Sequence, residues 1–320
     1  MHVVIRADGG PSIGFGHLFR SGALAAYARS EGDQVTYATE TPDHARTAVP
    51  DSVDIVDLGG EQSHAAFLSW LSTSVPDVVL TDSYDVDTGR QSRIRSRVPC
   101  LAVVLDDARF AVDTDVLVNG NVYAPDLAYE WEGVEPTWCL GTDYLLLRAS
   151  VRELASREPP VRESAASALV TIGGSDTQNA TPDIVEAFDG STLAVDVIVG
   201  PGFENRTEIE RAAARTDAAI TLVEDPPDLY ERMFDADLAV SATGTTVYEL
   251  LALGTPTIGR PQVDNQVPIA DALHEQEAVV VPEREGASLA ATIENISTDP
   301  HRRRALRKRG RWGSVLMFSI

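Results

Sequence analysis

A chain of 320 residues, 43% of them hydrophobic, is long enough for two domains, each with its own core. Its formal net charge is -23, from 49 acidic and 26 basic residues, and Lys308 is the sole lysine. That balance argues against a nucleic-acid partner, which needs clustered cations, and no stretch approaches the roughly 18 consecutive apolar residues of a membrane span.

The chain opens on a strand, His2–Ala7, without the charged start and long apolar run of a secretory signal, so a cytoplasmic protein without membrane insertion is expected. Gly14-Phe15-Gly16-His17 follows and leads into a helix over Leu18–Ser30, with Leu18, Ala25 and Ala28 on one buried side. Further strands are predicted at Gln34–Thr39, Val53–Leu58, Asp77–Asp82, Leu101–Asp106 and Val116–Asn119. Several are continuous apolar runs, the mark of strands covered on both faces by helices. Residues 149–166 are charged and small, and Pro159-Pro160 reads as a linker. Strands then resume at Ala168–Ile172, Val195–Val199, Ile220–Val223, Leu238–Ser241, Thr257–Ile258 and Ala278–Val281. The pattern predicts an α/β protein: residues 1–150 as one Rossmann-like parallel-sheet domain, 151–166 as linker and 167–320 as a second, the two facing a central cleft. The basic run Arg302–Arg311 reads as a helix end rather than a binding site. Cys100 and Cys139 lie in apolar contexts that suit core packing, and no Cys/His cluster predicts zinc. The acidic residues are spread along the chain, which favours salt adaptation over a plain acidic protein rich in arginine.

Three glycine turns follow strands. They are Gly9 to Gly16, Gly173-Gly174-Ser175, and Thr243-Gly244-Thr245-Thr246. Each is expected to run into a helix and aim backbone N–H groups at an anion. The dinucleotide fingerprint fails, because Phe19 stands where its third glycine belongs, and no Gly-Lys-Ser/Thr marks a P-loop. Phosphate or sugar-phosphate binding is the reading that remains, beside plain loop chemistry.

His17 at a helix start can take a proton near neutral pH, or simply cap its own turn. Glu249 can accept paired hydrogen bonds from vicinal hydroxyls, or complement a helix dipole. Tyr84 can reach a sugar or pack at the sheet edge. Asp106-Asp107 can order a water or a histidine, or cap a helix. Asn265-Gln266 offer amides to a ligand, or make a turn. No Asp-x-Asp at a strand end demands a divalent metal.

Together these residues resemble a family. Ile5-Arg6-Ala7-Asp8 with Ile13-Gly14-Phe15-Gly16-His17 and Arg20 is similar to the opening of the UDP-sugar hydrolases of pseudaminic acid biosynthesis, relatives of spore-coat polysaccharide biosynthesis proteins. The likeness continues through Asp82-Ser83-Tyr84, Leu105-Asp106-Asp107, residues 118–124, Leu146-Leu147-Arg148, Gly173-Gly174-Ser175-Asp176, residues 248–256 and Asn265-Gln266. It implies a GT-B fold that binds a UDP-sugar, with UDP held mainly by the second domain. It implies that His17 activates a water that attacks the anomeric carbon and expels UDP. Gly14, Gly16, Arg20, Tyr84, Gly173, Gly174, Ser175, Thr243, Gly244, Thr245, Thr246, Glu249, Asn265 and Gln266 would bind substrate, Glu249 at the ribose. No cofactor or metal is implied, and a monomer is expected. The alternative is a GT-B glycosyltransferase, with an alcohol in place of water. The chain departs from the family at Ala7-Asp8-Gly9-Gly10-Pro11, where a serine-rich stretch is usual, and at its ending, Arg309–Ile320.

Overall fold

A computed structural model describes residues 1–11, 13–60, 63–160 and 162–311. Trp312–Ile320, the unusual ending, and Ser12 of the first glycine turn lie outside the described residues. The chain divides into two compact units, Met1–Ala149 and the residues from Ser150 onward.

Unit one runs β1 (His2–Ala7), α1 (Gly16–Ser30), β2 (Gln34–Thr39), α2 (Pro42–Ala45), β3 (Asp54–Asp57), α3 (Ser63–Ser74), β4 (Val78–Asp82), α4 (Thr88–Arg95), β5 (Cys100–Val104), β6 (Val116–Asn119) and β7 (Thr137–Leu140). The strands form a parallel sheet in the order β3-β2-β1-β4-β5-β6-β7. Alternate residues of one strand feed two cores, as the pleat requires. Val3 and Ile5 of β1 join Leu18, Leu24 and Ala25 of α1, with Leu80 and Val104, on one face. Val4 joins Phe67, Leu71, Ile94 and Val103 on the other. The edge strand β7 was not anticipated. Thr137 is exposed, Trp138 and Leu140 are half-buried, and Cys139 is its one buried residue.

The helix α5 (Ala149–Ala155) occupies the start of the expected linker, because Val151 and Leu154 recur at helical spacing and are buried. Unit two continues with β8 (Ser167–Thr171), α6 (Thr181–Glu186), β9 (Ala194–Val199), α7 (Arg206–Ala213), β10 (Ala219–Glu224), α8 (Leu229–Asp235), β11 (Leu238–Ser241), α9 (Thr245–Leu253), β12 (Thr257–Gly259), α10 (Val267–Glu275), β13 (Val279–Val280), α11 (Pro282–Glu285), α12 (Leu289–Thr298) and α13 (Pro300–Gly310). Its parallel sheet has the order β10-β9-β8-β11-β12-β13. The basic run lies along α13 and ends just past it at Arg311, and two of its arginines turn to backbone carbonyls. Buried Arg303 donates to the carbonyls of Ile296, Ser297, Arg162 and Glu163, and Arg307 to those of Gly254 and Pro160. Among the described residues, no helix is long and apolar enough to cross a membrane.

Both sheets reverse their winding once, between β1 and β4 and between β8 and β11. In open parallel sheets ligands bind beyond the carboxyl ends of the strands at such a reversal. The fold therefore marks one position in each unit.

Candidate active site

In unit one the marked position holds His17. The sheet register places Asp82, the last residue of β4, beside Ala7, the last of β1. The chain leaves β1, turns at Gly14 with φ +91°, a conformation open to glycine, and enters α1. His17 in the first turn of α1 then lies over the end of β4. Its Nδ1 is 2.5 Å from Asp82 Oδ1. Ser21 Oγ donates to the His17 carbonyl at 2.5 Å and is 2.6 Å from the Tyr37 hydroxyl, which anchors this turn to β2.

Arg20, one turn along, joins two carboxylates. Its Nε and Nη2 donate to Asp82 at 2.7 and 2.6 Å, and its Nη1 to Asp106 at 2.6 Å. Asp106 follows β5 and also accepts from Tyr84 Oη at 3.1 Å and Asn121 Nδ2 at 3.0 Å. The Tyr84 ring stands edge-on to the His17 ring, with centroids 4.7 Å apart. Residues from α1 and from the ends of β4, β5 and β6 thus form one network.

Its electrostatics follow from burial. Desolvation pushes the Asp82 carboxyl up, but the Arg20 and His17 charges and their hydrogen bonds outweigh it and hold it well below the usual carboxylate range. Asp106 is lowered too, burial being outweighed by the Arg20 charge and hydrogen bond. Burial works against the Arg20 guanidinium, yet the charges of Asp106 and Asp82 raise it well above its ordinary value. Both carboxylates are therefore ionised and accept only. An ionised carboxylate only accepts, so the 2.5 Å His17–Asp82 contact places a proton on Nδ1, a nitrogen that Arg20 Nη2 also approaches at 3.1 Å.

Sequence reasoning singled out His17, Arg20 and Tyr84, and the structure brings them together. For Asp106-Asp107 it offered the ordering of a water or a histidine, or a helix cap. Asp82 makes the contact with the histidine, Asp106 reaches it only through Arg20, and Asp107 pairs with Arg109. Asn121 was missed. The one signal for Asp82 was a carboxylate closing a buried apolar strand. Asp8, in the stretch that departs from the family, fastens the ends of β1 and β2: it accepts from Thr39 Oγ1 at 3.0 Å and Glu40 N at 2.7 Å, and pairs with Arg6.

In unit two, Ser241 lies beside both Thr171 and Gly259 in the register, so the segments after β8, β11 and β12 leave the sheet at one edge. Gly173, Gly174 and Ser175 follow β8, Thr243, Gly244, Thr245 and Thr246 follow β11, and Gln266 follows β12. Thr243 Oγ1 donates to the Gln266 carbonyl at 3.0 Å, and Gln266 Oε1 accepts from Gln262 N at 2.9 Å. Gly200, after β9, packs so closely that a Cβ would come within 2.7 Å of the Gly173 carbonyl oxygen. Thr245 opens α9 behind Gly244, and its N-cap makes no side-chain hydrogen bond. The second glycine turn does not run into a helix as expected. The next helix, α6, begins at Thr181, and Asp176 already accepts from Ala180 N and Thr181 N at 2.8 and 2.9 Å. That helix end is satisfied from within the protein. Glu249 is buried in α9 and accepts from Tyr230 Oη at 3.3 Å, while Asn265 is exposed in the 3-10 turn Asp264–Gln266. Among the described residues, no group of three or more His, Cys, Asp or Glu side chains could hold a metal ion.

Two parallel-sheet Rossmann-like units with these strand orders define a GT-B fold. The chain matches the crystal structure of Acinetobacter baumannii MurG with a TM-score of 0.67, over 97% of this chain and 94% of that one, at 13% identity. It matches CalG4, the calicheamicin glycosyltransferase, with a TM-score of 0.62 over 97% and 92%, at 16% identity.

By sequence the chain is a distant homologue of three proteins. It is 24% identical over 271 residues to an uncharacterized protein of Methanocaldococcus jannaschii, covering 81% of this chain but only 55% of that protein, so it spans about half the length of that relative. It is 22% identical over 286 residues to the Bacillus subtilis spore coat polysaccharide biosynthesis protein SpsG, over 88% of this chain and 83% of that one. It is 22% identical over 256 residues to the UDP-2,4-diacetamido-2,4,6-trideoxy-β-L-altropyranose hydrolase of Campylobacter jejuni, over 79% and 89%. No family model matches the chain.

Proposed function

We propose that this chain is an enzyme that hydrolyses a UDP-linked amino or deoxy sugar to free sugar and UDP, in the biosynthesis of a pseudaminic-type acid or a surface glycan. The observation that carries this reading is the buried His17–Asp82 pair at the winding reversal of unit one. A carboxylate on Nδ1 orients the ring and stabilises the imidazolium formed when Nε2 takes a proton, the arrangement of a general base. The Campylobacter relative, a UDP-sugar hydrolase by name, supports the choice of substrate and of water.

In the proposed step the water oxygen bonds to the anomeric carbon and its proton passes to His17 Nε2. The bond from that carbon to the β-phosphate oxygen breaks, and its electron pair leaves with UDP. Tyr84 lies against the base and would contact the sugar or the water. In unit two the Gly173-Gly174 turn and the segment from Thr243 to Thr246, which leads into α9, would hold the diphosphate through backbone N–H groups. Glu249 would receive the ribose hydroxyls, and Asn265 and Gln266 would add amide contacts.

Purified protein incubated with UDP-amino sugars and no acceptor, followed by NMR, tests the reading. UDP release by the wild type, lost in His17→Asn while UDP affinity is kept, is expected. UDP release only after an alcohol is added would replace hydrolysis by glycosyl transfer.

A further inference from the structure

The family likeness makes Arg20 a substrate ligand, but the fold turns its donors inward. A guanidinium carries five N–H donors and no acceptor. Nε and Nη2 donate to the two oxygens of fully buried Asp82 at 2.7 and 2.6 Å, the forked pairing that fixes a carboxylate in plane and direction. Nη1 donates to Asp106 Oδ1 at 2.6 Å, and Nη2 to Asp106 Oδ2 at 3.2 Å. Four of the five N–H groups thus have carboxylate partners.

The same contacts set the charge around His17. Asp82 is 2.5 Å from Nδ1, and a carboxylate shielded from water favours a protonated ring. A general base must begin without that proton on its second nitrogen. The Arg20 charge, 3.1 Å from Nδ1, opposes the protonation. Around these groups stand Tyr84 beyond β4, Tyr37 of β2, which reaches the turn through Ser21 and whose phenol burial pushes well up, and Arg109, which lies over the Tyr84 ring and is paired with Asp107. The Arg6–Asp8 pair stands at the end of β1.

We propose that Arg20 is a positioning residue and not a substrate ligand: it fixes Asp82 against His17 and, by sharing its charge between Asp82 and Asp106, keeps the histidine ready to take a proton from water. This rests on the reading of His17 as general base. Two carboxylates and one guanidinium leave one net negative charge beside the ring. Without the guanidinium both negative charges act on it, and the cluster holds an extra proton to higher pH.

The test is the pH profile of UDP release, with UDP-2,4-diacetamido-2,4,6-trideoxy-β-L-altropyranose and UDP-N-acetylglucosamine as probes, beside calorimetry with UDP. In Arg20→Gln the acid limb of kcat/KM should move up by about one pH unit or more, so that activity lost at neutral pH returns in alkali. Arg20→Lys keeps the charge but cannot span two carboxylates, so its limb should stay near that of the wild type while kcat falls about tenfold or more. Asp106→Asn removes a negative charge, and its limb should move to lower pH. UDP affinity should hold in all three. A merely structural role would lower activity alike at every pH. An unmoved limb in Arg20→Gln, or in Asp106→Asn where Arg20→Gln does not fold, would overturn the inference while leaving hydrolysis standing. Loss of UDP affinity in Arg20→Gln with an unmoved limb would return Arg20 to the substrate ligands. Absence of UDP release by the wild type from either probe would overturn the hydrolase reading and this inference with it.

Discussion

His17 and Asp82 are 65 positions apart in the chain and 2.5 Å apart in the fold. The contact exists because β4, not β2 alone, lies beside β1, which brings the last residue of the fourth strand under the first helix. Strand order is a long-range property, and no local spacing around either residue encodes it. His17, Tyr84 and Arg20 were legible from turn chemistry and family likeness. The task of Arg20 was not, because its donors meet two carboxylates from two other strands. Asp82→Asn should lower turnover by about 10²- to 10⁴-fold with little change in UDP affinity, since it removes the group that orients the base. The same variant tests linkage. Asp82 and Asp106 are depressed in the folded state, so their stability contribution is present above the unfolded carboxyl value, about 4, and is lost as pH falls below it toward the folded values. Melting temperature should drop along that acid limb in the wild type, and the drop should be shallower in Asp82→Asn.

Strands were the most readable elements, because β1, β4, β5 and β6 each carry a buried apolar run, and β2 is rich in β-branched and aromatic residues. The edge strand β7 escaped notice because its short apolar run, Trp138-Cys139-Leu140, also suits plain core packing around Cys139. The segment after Gly173-Gly174 was misjudged because Asp176, which caps α6 from a distance, looks in sequence like part of a ligand turn. Gly200 shows what that turn needs. Gly200→Ala would press a methyl group on the Gly173 and Gly174 carbonyl oxygens, 2.7 and 2.8 Å away. UDP affinity by calorimetry should fall about tenfold or more if the turn cradles the diphosphate. Unchanged affinity would remove the turn from the nucleotide site. In α13 the charged run is held in place by backbone acceptors. Arg303→Ala would leave four carbonyls without their donor and should cost about 2–4 kcal/mol in denaturant unfolding. Arg303→Lys should recover only part, since an ammonium cannot span the fork.

The whole chain carries a formal charge of -23, while the network around His17 holds a buried carboxylate, Asp82, and a half-buried one, Asp106, beside one arginine. Exposed carboxylates repel one another through a distance that salt shortens, from about 10 Å at 0.1 M to about 3 Å at 1 M. Melting temperature should therefore rise with KCl toward molar concentration. A fall would remove salt adaptation as the meaning of the acidity. Each unit has its own sheet, winding reversal and candidate site, and the proposed reaction asks unit one for a base and unit two for a grip on UDP. The chemistry that joins these tasks is breakage of the anomeric carbon–oxygen bond by water. Turnover in oxygen-18 water, with products read by mass spectrometry, reports which bond breaks. The label should appear on the sugar and be absent from UDP, and His17→Asn should abolish its incorporation. Label on the β-phosphate of UDP, or undiminished incorporation in His17→Asn, would contradict the assignment of His17 as the base that directs water to the sugar.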